Sequence, residues 1–259
     1  ILILERLKEY PFLIYKPYAR TLDLDDPQRK DHQRICLEMI LSVNASVCLA
    51  NYYFIRHSGD DEQRQRLKKA VKKIFKGNED GELKFDLGQM SIGKWNQVSR
   101  DTSRALMEAT DSGKDHHFLI KEIGNLYDPK KSDKWRKTVN DLIARRNKDA
   151  HGGVMDDEGL KKQLQERQQG LDSLMEQLVF YTSQVMIVPI DEEVKEGGLV
   201  CRCKDLSGDG NGTFDINISS EDENSDNGFE HFRTYLFNKD KKISLCLEPM
   251  IISCNPDPE

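Results

Sequence analysis

Residues 141–153 read DLIARRNKDAHGG, and they hold the side chains best suited to chemistry. Arg146 is followed by Asn147, three further residues and His151, and then by Gly152 and Gly153. An imidazole titrates near neutrality, so it can take or give a proton. A guanidinium holds phosphate oxygens and stabilises charge that develops on them. RNA brings its own nucleophile, the 2′-hydroxyl. A base, a cationic clamp and correct alignment are then enough for phosphodiester cleavage without a metal, leaving a 2′,3′-cyclic phosphate and a 5′-hydroxyl. The spacing is awkward on an ideal helix, because five residues turn through roughly 140°. The reach of arginine eases this, and the two glycines let the chain leave the helix just after His151. The bland alternative is a charged last helical turn, where cations suit the helix dipole.

Other motifs carry less. DLSGDGNG mimics the start of a calcium loop through Asp205, Ser207, Asp209 and Gly210. Gly212 stands where an apolar residue belongs and Ile216 where a glutamate belongs, so a glycine-rich turn between strands is expected. Cys201 and Cys203 share one face of a strand and could join Cys246 and Cys254 at zinc, but CxC without a CxxC partner is a weak pattern. His116 and His117 point apart if helical, and a helix start capped by Asp115 is expected there. There is no phosphate-binding glycine loop, no nucleophilic serine signature and no HExxH. No metal and no cofactor are expected.

Helices must position the Arg146–His151 pair. Residues 31–57 carry Ile35, Leu37, Met39, Ile40, Val43, Val47, Leu49, Ala50 and Phe54, several at helical spacing, with Asp31 as the expected N-cap. Residues 61–77 place Leu67, Val71, Ile74 and Phe75 inward and stop at Gly77. Residues 91–110, 115–127 and 133–151 add three more helices, the last with Trp135, Val139, Leu142 and Ile143 on its apolar side. Residues 156–186 read as one helix with an acidic first turn and an apolar end. After Pro189 come short β-type runs, GLVCRCK, TFDINI, FRTYLF and KISLCLEPMIIS, with NKDK as a hairpin turn and SSEDENSDNG as a solvated loop. The expected fold class is α+β, a helical bundle over 1–186 followed by a small antiparallel β domain over 187–259.

The 259 residues suit one large domain or a medium and a small one. Net charge is −6, which argues against a broad nucleic-acid coat. The charge is uneven: 64–76 and 130–148 are basic, and acidic residues collect late. Lys68, Lys69, Lys72 and Lys73, with Arg145 and Lys148, are the expected nucleic-acid contacts, although a solvated helix face is the ordinary reading of any one such run. The apolar windows are interrupted by Glu38, Asn44, Asn51 and Gln184, so buried core and no membrane partner are expected. No signal peptide is visible. Cys36 and Cys48 fall inside one apolar helix, and the six cysteines suit a reducing compartment. A cytoplasmic location follows.

RNKDAH, with its polar Asn147 and the small residue before His-Gly, resembles the Arg-x4-His motif of the HEPN superfamily, helical ribonucleases and nucleic-acid effectors. The resemblance covers the helical part. It implies a metal-independent endoribonuclease that works as a homodimer, with two motifs facing across a composite site. Many members belong to bacterial toxin–antitoxin, abortive-infection and antiphage systems. By position, Arg146 would be the phosphate clamp, His151 the acid and base, and Asn147 an orienting residue. Gly153 stands where some HEPN toxins carry a tyrosine, so regulation by modifying that tyrosine is not expected. The β unit would bind a regulatory protein, an antitoxin or a sensor. The alternative is a catalytically silent HEPN module that dimerises or binds nucleic acid in a larger defence assembly.

Overall fold

The computed structural model describes residues 6–23, 27–58, 61, 62, 64, 65, 67, 90–109, 118–151, 156–195, 198–208, 210, 212–219, 229, 230 and 233–248. The architecture is α+β, as expected. Helices α1 (Phe12–Thr21), α2 (Arg29–Ser58), α3 (Ile92–Ala109), α4 (Ile120–Tyr127), α5 (Asp133–His151) and α6 (Asp157–Gln177) precede a five-stranded antiparallel sheet. Its strands are β1 (Gln184–Lys195), β2 (Gly198–Asp205), β3 (Gly212–Ser219), β4 (Tyr235–Asn238) and β5 (Ile243–Cys246), in the order β3-β2-β1-β4-β5.

The chain forms two compact units, Pro17–Val179 and a second that joins Ile1–Lys16 to Phe180–Glu259. The sequence reading placed the first residues with the bundle and the boundary at 186. The N-terminal segment instead groups with the sheet, because its backbone finds partners there. Pro11 bridges Ser207, Phe12 N donates to Leu206 O at 2.7 Å, and Gly208 N donates to Tyr10 O at 3.0 Å. Gly208 has φ 53°, and a Cβ there would lie 2.9 Å from Lys8 O, so both conformation and space require glycine. The boundary falls inside α1 at Pro17, which lacks an N–H and cannot donate to the preceding helical turn.

In the helical unit, α2 packs against α3 and α6, and α5 packs against α4 and α6. Between Cys36 and Ile55, α2 buries residues on several faces, including Leu37, Ile40, Leu41, Val47 and Cys48. A helix apolar most of the way round belongs in the middle of a core. Its stretch Arg29–Arg56 is long and apolar enough to cross a membrane by length and composition, which the expectation drawn from its interrupting polar residues missed. Of the apolar 18-residue window within it, 72% is buried in the protein. Buried Asn51 satisfies its amide by donating to Val47 O and Phe118 O at 2.8 and 2.9 Å. Two residues expected inward, Ile35 and Phe54, are 39% and 44% exposed. Asp31 lies in the first turn rather than at the N-cap. The helix begins two residues earlier, where Arg29 is buried and donates to Thr21 O.

Two other boundaries move. Helix α4 starts at Ile120, after Leu119 takes the left-handed conformation; the expected start with Asp115, His116 and His117 lies outside the described residues. The helix expected over 156–186 ends at Gln177, and Gln184–Lys195 is the central strand β1. Gln184 to Pro189 are all buried, so this half-strand carries no alternation to separate it from a helix end. A register shift between Pro189 and Asp191 accommodates the proline in a paired strand.

One face of the sheet buries Val185, Ile187, Cys201, Cys203, Ile216, Phe229, Tyr235 and Phe237. The NKDK turn joins β4 to β5 as expected. Within DLSGDGNG, Asp205 Oδ1 accepts from Ser207 N at 2.7 Å, in keeping with a turn between strands. Cys201 and Cys203 place their sulfurs 3.7 Å apart, and no group of three or more potential ligands forms a metal site among the described residues. Cys254 and the SSEDENSDNG run beyond Ser219 lie outside the described residues.

Burial raises the Cys36 and Cys48 thiols, and Cys203 is raised by its contact with Cys201 and by burial. Cys246 is half-buried. In native protein treated briefly with iodoacetamide, Cys246 is expected to alkylate ahead of Cys36, Cys48, Cys201 and Cys203. Peptide mass spectrometry reads the order, and early labelling of Cys36 would contradict the packing of α2.

Candidate functional site

Helix α5 carries the candidate motif, and its sequence explains both ends. Ser132 Oγ accepts from Trp135 N at 3.4 Å, and Asp133 pairs with Lys137 at 2.6 Å in the first turn. Trp135, Val139 and Leu142 are buried at the spacing of one helical face, as expected, and Ile143 is half-buried. The helix continues to His151, so the histidine is its last residue. The backbone of His151 is described and its side chain is not. The side chains of Arg146, Asn147 and Lys148 are exposed.

Neighbouring arginines have different partners because one residue turns the helix by about 100°. Arg145 forms an ion pair with Glu166 of α6, and both side chains stay partly exposed. Arg146 Nη1 donates to Asn147 Oδ1 at 3.1 Å, an exposed contact between neighbours in sequence. Lys68, Lys69, Lys72 and Lys73 lie outside the described residues; of their expected helix, Leu67 is buried and residues 61, 62, 64 and 65 are helical.

Arg146 also lines a cavity of about 300 Å³ between α2, α5 and α6. Its other lining residues are Lys30, Asp31, Gln33, Arg34 and Leu37 of α2, Leu142 of α5, and Arg167 and Leu171 of α6. With Arg146 the lining holds four cations, against one carboxylate. Arg34 sits 3.7 Å from Asp31 and 3.7 Å from Glu38, distances long for hydrogen bonds between partly exposed groups. Arg167 is 6% exposed, and burial together with the Arg145 charge lowers its pKa. Even lowered, a guanidinium stays charged.

A polar chain fixes the rear of this region. Gln33 Nε2 donates to Leu164 O at 2.9 Å and to Gln168 Oε1 at 3.2 Å. Gln168 Nε2 donates to Asp172 Oδ1 at 2.9 Å, and Tyr18 Oη donates to the same oxygen at 2.8 Å. Burial first, and then the Asp172 charge and hydrogen bond, push the Tyr18 hydroxyl well above its usual pKa. Below about pH 10 both folded and unfolded tyrosine keep the proton, and this stabilisation is present. Above that the unfolded chain ionises first, so stability falls. The melting temperature is expected to fall as pH rises above about 10, and to fall less in Tyr18→Phe.

The basic cavity was not visible in the sequence, since its residues come from three helices far apart in the chain. One signal was present. Arg167 occupies a position on the buried stripe Arg167, Leu171, Leu174, Met175 and Leu178, where an aliphatic residue is the ordinary choice. No family model, curated protein or solved structure matches this chain.

Proposed function

We propose that this protein is a metal-independent endoribonuclease of the HEPN type, built as a homodimer with a composite site and serving a bacterial defence or toxin system. The observation that carries the reading is the place of Arg146. Its guanidinium is exposed on a helix that ends at His151, it is held by Asn147, and it stands among cations that attract a phosphate backbone.

In the reaction, His151 removes the proton from a 2′-hydroxyl. The oxygen forms a bond to the adjacent phosphorus, and the bond from phosphorus to the 5′ oxygen breaks. The leaving oxygen takes a proton from an imidazolium, supplied by the motif of the second copy. Arg146 binds the non-bridging oxygens, where negative charge grows in the transition state.

The test is the chemistry of the ends. Fragments are expected to carry a 5′-hydroxyl and a 2′,3′-cyclic phosphate, and a substrate with 2′-deoxyribose at the cleaved position is expected to resist. A 5′-phosphate on the products, or cleavage of the deoxy substrate, would overturn the reading.

A further inference from the structure

We infer that the cavity between α2, α5 and α6 seats one nucleotide of a single-stranded RNA, beside the phosphate gripped by Arg146. The inference rests on the ribonuclease reading for the identity of the strand, and its test needs no cleavage. Charge comes first. Lys30, Arg34, Arg146 and Arg167 face the cavity with Asp31 as the one lining carboxylate. Arg145, next to Arg167, is engaged by Glu166, and Glu38 lies near Arg34, so the surroundings still keep a positive excess. An anion that reaches buried Arg167 meets a guanidinium only weakly screened by water, where a charge-assisted hydrogen bond is strongest.

The floor has a different character. Leu37, Leu142 and Leu171 are buried side chains with 3%, 6% and 1% exposure. A cationic wall over an aliphatic floor suits a ligand that is charged at one end and apolar at the other, as a phosphate with its ribose and base is. A free inorganic anion would leave the leucines unused. The volume of about 300 Å³ lies at the small end of ligand pockets, the scale of one nucleotide rather than of a duplex. Single strands can splay one base into such a cleft, and a duplex cannot. Because Arg146 belongs both to this lining and to the candidate motif, the seated nucleotide is a neighbour of the cleaved bond. The chain from Gln33 to Tyr18 holds the back wall in place before the strand arrives.

The experiment is fluorescence anisotropy of a labelled 2′-O-methyl oligoribonucleotide titrated with the full chain at several salt concentrations. The methylated strand has no nucleophile, so binding is read alone. Arg34→Gln and Arg167→Met are each expected to weaken binding about tenfold and to lower the log–log salt slope by about 0.7, the loss of one phosphate contact on a single strand. Lys121→Gln, exposed on α4 and outside the cavity, is expected to change neither. Arg34 is on the exposed rim, so it carries the test if Arg167→Met fails to fold. Unchanged affinity and slope in folded Arg34→Gln would overturn the inference, as would no binding by the wild type. Binding that depends on Arg34 in a protein that never cleaves RNA upholds the nucleotide seat and removes the ribonuclease reading. Cleavage with unchanged binding in Arg34→Gln does the reverse.

Discussion

His151→Ala is expected to lower the rate of RNA cleavage by about 10²–10⁴-fold, the range for loss of a positioned general base. Neither of the other two residues given a role in the motif can replace it. Asn147 does not titrate, and Arg146 stays protonated at any working pH. The substitution falls on the last residue of α5, beyond its buried stripe Trp135, Val139 and Leu142, so the fold is expected to survive. Circular dichroism and the melting temperature check that point. Arg146→Ala removes charge stabilisation instead and is expected to cost about 10²–10³-fold. Since the two residues act on one step, the double variant is expected to be little worse than His151→Ala alone. A drop of less than tenfold in His151→Ala would assign the proton transfer to another group.

Trp135→Ala is expected to destabilise the helical unit by about 3–5 kcal/mol, the range for truncating a large buried aromatic. Trp135 is fully buried near the start of α5 and meets Tyr127 edge to face, with centroids 6.1 Å apart and planes at 83°. Its removal leaves a cavity and takes away that ring contact. The same helix carries the motif at its other end, so its attachment to the bundle is an attachment of the site. Urea unfolding reads the loss. Trp135→Phe keeps much of the volume and is expected to cost clearly less. Equal stability of wild type and Trp135→Ala would mean that the helix is not anchored there.

The helices and the late hairpins were legible because their patterns are local. The stripe Trp135, Val139, Leu142 and the NKDK turn each declare themselves within a few residues. Strand β1 was not legible, since Gln184 to Pro189 are buried without alternation and follow an amphipathic helix after one short 3-10 turn, Val179–Ser183. The docking of the N-terminus on the sheet was equally hidden: it runs through backbone hydrogen bonds at Pro11, Phe12 and Gly208, which no side-chain pattern announces. Of the candidate site, Arg146, Asn147 and His151 stand out in the sequence by residue chemistry and by the resemblance, while Lys30, Arg34 and Arg167 do not. The last three meet Arg146 only because α2, α5 and α6 pack together. Arg145 shows the limit of reading charge from sequence: of two adjacent arginines, one faces the cavity and the other pairs with Glu166.

The most direct measurement is RNA cleavage by the purified wild-type chain in excess EDTA, compared with the same reaction after magnesium is restored. The account predicts cleavage in EDTA at a rate that magnesium does not raise, because imidazole and guanidinium supply all the chemistry. RNA that stays intact in EDTA and is cut only with magnesium would contradict it.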